Sequence, residues 1–175
     1  MPFVDSWHVG AVCEFLEACQ TRQIRRGVIN IPPGMSKSTL VSALYPAWCW
    51  TLDPGERFMC ASYDVSLSYR DARRHREIVS SEWYRRVWPA GTVSKDQQLQ
   101  EFSNSAGGFR FSTSIGGKAT GRHATQRIVD DPIKPLDTMG GADTTRKRLK
   151  ACEDWFRGTW TSRTQIAARI VDICI

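Results

Sequence analysis

The sequence predicts an α/β domain in which a mainly parallel sheet carries helices on both faces. Short apolar segments alternate with segments of helical periodicity along the chain. Strands separated by helices usually run parallel, because each connection crosses back over the sheet. The length of 175 residues suits one domain, and 41% hydrophobic with 24% charged residues is ordinary for a folded globular protein.

The individual elements follow from periodicity and turn residues. Apolar segments predict buried strands over residues 27–31, 57–61, 127–130 and 169–175. Helical spacing predicts helices over residues 7–20, 37–52, 65–79 and 144–160, and one or two further turns over 81–88. Residues 91–121 are rich in Gly, Ser and Thr, and 108–112 alternate as a half-exposed strand does. We therefore expect a small antiparallel insertion there.

The most informative segment, IPPGMSKST at residues 31–39, follows a predicted strand and opens a predicted helix. Such a junction presents backbone N–H groups and a helix N-terminus to an anion. Lys37 would then reach the β- and γ-phosphates of a nucleotide, and the Ser38 hydroxyl would bind Mg²⁺. The pattern GxxxxGK[ST] is not met, because Ile31 and Ser36 stand at its two glycines. A plain strand-to-helix turn with an exposed lysine is the alternative.

A second segment strengthens the nucleotide interpretation. The apolar strand predicted over residues 127–130 ends in the acidic pair Asp130 and Asp131. In nucleoside triphosphatases one such acid holds the Mg²⁺ shell, and another group orients or deprotonates the attacking water. The ends of parallel strands meet at one edge of a sheet, so this pair is expected beside Lys37. A strand that ends in a simple Asp-Asp-Pro turn is the alternative.

Charge, cysteines and hydropathy exclude several classes of protein. The net charge of +6 favours polyanionic partners such as nucleic acid or nucleotides. The six cysteines form no CxxC pair and no zinc pattern with histidine, so we expect reduced thiols packed in the core. The N-terminus has no secretion signal, and no segment approaches the roughly 20 apolar residues of a membrane span. We expect a soluble intracellular protein.

Together these segments resemble the N-terminal ATPase domain of the large terminase subunit of tailed bacteriophages. The first feature is Trp7-His8 at the start of the first predicted helix. The others follow in family order along nearly the whole chain: IRRGVINIPPGMSKST, PAWCWTLDPGERFMCASY, SSEWYRRVWP, GGKATGRHATQRIVDDPIK and WTSRT. The resemblance implies a P-loop NTPase fold of the additional-strand type. It also implies an ATP-hydrolysing motor that drives viral double-stranded DNA into a procapsid.

The resemblance also implies roles for individual residues. Lys37 and Asp131 would be catalytic, whereas Ser38 and Asp130 would hold Mg²⁺. ATP would be bound by the loop residues Pro33, Gly34, Met35, Ser36, Lys37, Ser38 and Thr39. The motif that couples hydrolysis to movement would be Ser162, Arg163 and Thr164. Implied partners are double-stranded viral DNA, the portal protein, the terminase small subunit and further copies in a ring, all in the cytoplasm of the bacterial host and without a membrane.

The chain departs from the family pattern in three places. Family members often carry an arginine where Gly34 stands, and Arg122 or an arginine of a neighbouring subunit is a candidate substitute. Asp131 stands where many relatives of the wider class have a glutamate. The family normally adds a nuclease domain, whereas residues 1–175 match the ATPase domain alone and end within an apolar strand. We therefore expect a piece of a longer protein or a truncated gene, without nuclease activity.

Other functions remain open at this level. The chain could be another P-loop DNA translocase or helicase, or a prophage remnant that binds nucleotide or DNA without turnover. Basic clusters at Arg70, Arg73, Arg74 and Arg76, and at residues 146–150, would suit contacts to duplex phosphates without reading the sequence. A solvated helix face is the alternative for each cluster.

Overall fold

A computed structural model describes residues 6–119, 121–134, 139, 141–162 and 170–175. Its centre is a six-stranded sheet with the spatial order β1-β6-β5-β2-β4-β3. All neighbouring strands are parallel except β3 and β4, which are antiparallel. The strands are β1 (Arg26–Val28), β2 (Arg57–Ser62), β3 (Glu101–Ser103), β4 (Phe109–Ser114), β5 (Gln126–Asp130) and β6 (Val171–Cys174). The mixed α/β prediction is confirmed, and the antiparallel insertion is a pair of strands at the edge of this same sheet.

The helices lie close to where periodicity predicts them. Residue Asp64 caps the third helix as its sequence position suggests, since its Oδ1 accepts the Ser66 N–H at 2.8 Å. Two helices contain a π-helical segment, which adds one residue to the hydrogen-bonded turn. The helices are α1 (Trp7–Gln20), α2 (Tyr45–Leu52, preceded by a π-helical segment Thr39–Leu44), α3 (Val65–Val79), α4 (Glu82–Val87) and α5 (Ala142–Trp155, continued by a π-helical segment Phe156–Trp160).

Side chains of the central strands point alternately to the two faces of the sheet and so contribute to two core layers. On one face Phe58, Cys60 and Ile128 pack with buried residues of α1, α2 and α3. On the other face Met59, Ala61 and Val129 pack against Trp155 and Trp160 at the end of α5. Successive strand side chains point to opposite faces, so a strand buried on both faces reads as a continuous apolar run. Helical segments therefore cover both faces, as the sequence predicts.

Trp48 lies at helical spacing from Val41 and Leu44, which predicts a core position for its side chain, and this prediction is wrong. Its side chain is 37% exposed, and that of Leu44 is 43% exposed. Both line a shallow cleft of about 190 Å³ between α1 and α2. The π-helical segment before α2 has a wider turn, which rotates the residues after it relative to the buried face of the helix. Regular helical spacing from the buried Val41 therefore does not place Trp48 on that face.

A buried ion pair joins β5 to β6. The Arg127 guanidinium is 3% exposed and binds both carboxylate oxygens of Asp172, at 2.6 and 2.8 Å. It also donates to the Trp160 carbonyl at 2.8 Å. This fork holds the strand that ends in Asp130 beside β6, and so positions the acidic pair.

Replacement of Asp172 by asparagine is expected to destabilise the fold by about 3–5 kcal/mol, because it leaves the Arg127 charge buried without a counter-ion. Denaturant unfolding measures the change. The matched control is Asp154→Asn on α5, whose exposed pair with Lys150 is screened by solvent and should contribute little to stability. Equal losses in the two variants would contradict the expectation.

Within the described part of the chain, no helix is both long enough and apolar enough to cross a membrane.

Candidate functional site

The loop between β1 and α2 contains two residues in the left-handed backbone region. Gly34 has φ +84° and Ser36 has φ 59°. A left-handed conformation is natural for glycine, whereas it costs an ordinary residue roughly 1–2 kcal/mol. Ser36 stands where GxxxxGK[ST] has its second glycine. Ser36 thus adopts a backbone conformation that glycine would adopt without strain.

The helix that follows the loop begins at Lys37. Ser38 already has helical backbone angles, and its side chain makes no capping hydrogen bond. The first N–H groups of a helix have no intrahelical acceptor, and the helix dipole places partial positive charge there. This end of the helix therefore favours an anion directly beside Lys37.

Lys37 and Asp131 meet across 94 positions of sequence. The Lys37 Nζ lies 3.0 Å from the Asp131 Oδ1. The lysine side chain is 17% exposed and that of the aspartate 53% exposed, so the pair lies at the rim of the protein. The proximity that the sequence predicts for the loop and the acidic pair is therefore present between these two groups.

Asp130 lies beneath this pair and is 6% exposed. Burial raises the pKa of its carboxyl to about 6, and the charges of Asp131 and Asp71 act in the same direction. The Ser38 hydroxyl and the Lys37 ammonium oppose that rise, because they stabilise the ionised form. Among the described residues, the Oδ1 atom of Asp130 is buried without a hydrogen-bond partner. Such an oxygen calls for a cation or a donor that this part of the chain does not supply.

The backbone of Asp131 is fixed by its neighbours on both sides. Its N–H donates to the Ile175 carbonyl at 2.8 Å, and its carbonyl accepts the Tyr63 N–H at 3.2 Å. These bonds connect the ends of β2, β5 and β6 at one edge of the sheet. Asp131 has φ 45°, a left-handed conformation in which aspartate and asparagine are enriched over other side chains.

A third acid, Asp71 on α3, was not anticipated as part of this site. Its side chain is 2% exposed and accepts hydrogen bonds from Arg70 and Arg74. Arg74 also donates to the Thr39 hydroxyl at 3.3 Å, at the first turn of the helix after the loop. From the sequence, these arginines are a candidate face for contacts to duplex DNA. An aspartate between two arginines on one helix was the available signal for a clamp.

The remaining predicted residues are those of the loop, Arg122 and the coupling motif. Pro33, Gly34, Met35 and Ser36 are exposed on the loop, next to the partly buried residues 37–39. Arg122 is ion-paired with Glu101 on the edge strand β3 and lies over the Phe111 ring at 4.9 Å. At three strand spacings that is roughly 14 Å from β5, so the structure does not bring it to the acidic pair.

The predicted coupling motif is described only at its first residue. Ser162 is exposed, and its hydroxyl donates to the Thr159 carbonyl at 2.9 Å. Arg163 and Thr164 lie outside the described residues.

The buried histidine and the cysteines have the character of core residues. His75 is fully buried between Trp50 and Phe102, and burial lowers the pKa of its imidazole well below the usual range. All six cysteines are free thiols, and Cys19, Cys49 and Cys60 are buried as expected for core packing. Among the described residues there is no group of three or more His, Cys, Asp or Glu side chains that could hold a metal.

Taken together, the edge of the sheet combines a lysine, a helix N-terminus, a buried carboxylate and a half-exposed carboxylate. No protein-family model and no curated protein matches the chain. Its function is therefore argued from this geometry and from the sequence motifs.

Proposed function

We propose that this chain is a Mg²⁺-dependent ATPase domain, and specifically the motor domain of a phage terminase large subunit. The ion pair between Lys37 and Asp131 carries the proposal. In the alternative readings the lysine would be an exposed side chain and the acids a simple turn. A contact at 3.0 Å between residues 94 positions apart favours a common site instead.

In this proposal Lys37 exchanges its carboxylate partner for the β- and γ-phosphates. The lysine that pairs with Asp131 would then be the same lysine that binds the ligand. Once Lys37 moves to the phosphates, the Asp131 carboxylate is released to orient or deprotonate a water. The backbone bonds from Asp131 to the ends of β2 and β6 keep it at that position.

The residues present fit Mg²⁺. Asp130 offers a buried oxygen without a partner, and Ser38 offers a hydroxyl beside it. Mg²⁺ prefers such oxygen ligands, and in phosphate-transfer sites it takes its remaining ligands from phosphates and water. Bound Mg²⁺ would supply charge neutralisation on the phosphates. Ser38 and Asp130 would hold it.

The strand order supports the finer fold proposal, a P-loop NTPase of the additional-strand type. β6 lies between β1, which leads into the Lys37 loop, and β5, which ends in the acidic pair. An extra strand between those two is what the fold name describes. β6 also accepts the Ile29 and Asp131 N–H groups at its end, so it ties the two halves of the site together.

The motor function rests on less direct support. The net charge of +6 suits a double-stranded DNA partner, and the ordered motifs resemble the terminase family over nearly the whole chain. The portal protein, the terminase small subunit and neighbouring copies in a ring belong to the same proposal, as does work in the cytoplasm of a bacterial host. The Ser162–Thr164 motif would couple hydrolysis to movement.

Replacement of Asp131 by asparagine tests the proposed activity. We expect ATP hydrolysis, stimulated by duplex DNA, to fall by about 10² or more, since a positioned general base contributes that much. ATP binding should persist, because Lys37 and Ser38 are unchanged. A steady-state phosphate-release assay with and without DNA measures the rates, and Asp96→Asn in an exposed loop is the matched control.

The outcomes separate the parts of this proposal. Full activity of the Asp131→Asn variant would show that Asp131 is not the general base. Hydrolysis without any response to DNA would remove the motor function and leave an ATPase.

A second candidate is a remnant that binds nucleotide or DNA without turnover. The observation in its favour is Ser36 at φ 59°, because a non-glycine residue there adds strain to the phosphate loop. ATP binding by the unaltered chain without hydrolysis, in the presence of DNA and Mg²⁺, would decide for this candidate.

A further inference from the structure

A pair of arginines stands fixed beside the proposed nucleotide site. On α3 the Asp71 carboxylate accepts Arg70 Nε at 3.0 Å and Nη2 at 3.1 Å, and Arg74 Nη1 at 3.3 Å. The carboxylate is 2% exposed, whereas the arginine side chains are 44% and 46% exposed. One buried acid therefore orients two cations at the surface. Asp71 engages only two of the five N–H donors of Arg70.

The same cluster contacts the proposed phosphate loop and interacts electrostatically with the acidic pair. Arg74 donates to the Thr39 hydroxyl, two residues beyond Lys37. The hydrogen bonds that Arg70 donates to Asp71 raise the pKa of its guanidinium, and the charges of Asp130 and Asp131 act in the same direction. Asp71 in turn contributes to the raised pKa of Asp130, so the three carboxylates share one electrostatic environment.

The charge balance of this edge leaves room for an anion. Ion pairs join Lys37 to Asp131 and both Arg70 and Arg74 to Asp71, and Asp130 adds a third carboxylate to these three cations. A cation bound at Asp130 would leave the group with an excess of positive charge, and a terminal phosphate would compensate it. Arginine suits this task because its planar fork donates to two oxygens at once.

On the basis of the proposed nucleotide site, we propose that Arg70 binds the terminal phosphate of the bound triphosphate, and that Asp71 is the positioning residue that holds Arg70 and Arg74 against the loop. The hydrogen bond from Arg74 to the Thr39 hydroxyl connects Asp71 and its two arginines to the loop. Arg70 therefore distinguishes a triphosphate from a diphosphate, whereas Lys37 binds both.

Binding of a non-hydrolysable ATP analogue and of ADP, each with Mg²⁺, tests this inference by calorimetry. Arg70→Gln is expected to weaken binding of the ATP analogue about tenfold and to change ADP binding less than twofold. Arg70→Lys should also weaken the ATP analogue, because an ammonium lacks the bidentate fork. Arg73→Gln, an exposed arginine on the same helix, is the matched control and should change neither affinity. Thermal unfolding of each variant shows that the fold is kept.

Every outcome bears on the inference. An Arg70→Gln variant that binds the ATP analogue as the unaltered chain does, or that loses both nucleotides equally, overturns it. Weaker duplex-DNA binding with unchanged nucleotide binding overturns it as well and reassigns Arg70 to DNA. If the unaltered chain binds neither nucleotide, the proposed function fails too. If Lys37→Ala abolishes binding while Arg70→Gln leaves the affinity for the ATP analogue unchanged, only the inference fails.

Discussion

Replacement of Lys37 by alanine is expected to weaken ATP binding at least a hundredfold. For the unaltered chain we expect a dissociation constant in the micromolar range, which corresponds to a binding free energy of about −8 kcal/mol. The lysine supplies the positive charge at the helix N-terminus, and its Nζ already binds a carboxylate 3.0 Å away. A triphosphate carries more charge than that carboxylate, so it competes for the same ammonium group. Calorimetry with and without Mg²⁺ measures the loss.

The stability of the Lys37→Ala variant separates binding from folding. Because Asp131 is 53% exposed, loss of its ion pair should cost about 1 kcal/mol or less, and the midpoint of thermal unfolding should move little. The control is Lys95→Ala, which removes an exposed lysine from the loop after α4. ATP binding that is the same in both variants would contradict the placement of the phosphates at Lys37.

Replacement of Asp130 by asparagine is expected to stabilise the unliganded protein while it removes Mg²⁺-dependent nucleotide binding. Burial raises the pKa of Asp130 to about 6 from 3.8. At about 1.4 kcal/mol per unit, the ionised carboxylate then costs the folded state roughly 3 kcal/mol at pH 8. Asparagine has the same shape without the charge. Chemical denaturation at pH 8 measures the gain in the free energy of unfolding.

The raised pKa of Asp130 determines how the free energy of unfolding changes with pH. Because the pKa is raised on folding, the carboxyl favours the folded state most below pH 3.8, and this contribution is lost as the pH rises through about 6. The stability difference between Asp130→Asn and the unaltered chain should therefore be largest above pH 6 and vanish towards pH 4. Asp96→Asn, at an exposed carboxyl in the loop after α4, is the control and should show no such gain. A difference that does not change with pH would contradict the buried charge.

The order of secondary structure follows largely from the sequence. The predicted helices over residues 7–20 and 65–79 coincide with α1 and α3, because their apolar spacing and the Asp64 cap are local signals. The predicted strand over residues 127–130 differs from β5 by one residue, since an apolar run bounded by an acidic turn specifies a buried strand. Trp48 was misplaced because the π-helical segment before it shifts the helix face, and periodicity assumes a regular helix.

The sequence did not predict how deeply each acidic side chain of the site is buried. The motifs predicted that Lys37 and the acidic pair belong together, yet they did not indicate which acid would be buried. Asp130 is 6% exposed and its neighbour Asp131 is exposed, although the two are chemically identical. The difference arises because Asp130 is the last residue of a central strand and Asp131 begins the turn. Asp71 was missed altogether, since an acid among arginines reads as an ordinary exposed helix.

The sequence by itself determined the alternation of strands and helices, the lysine loop and the acidic strand end, because these depend on short-range patterns of apolar and turn-forming residues. Only the tertiary structure decided that β6 lies between β1 and β5, and that Asp71 on α3 holds Arg70 and Arg74 beside the loop. The order of strands and the partner of a charged side chain depend on contacts between distant segments. Those contacts are set by packing in three dimensions and leave no periodic signal in the chain.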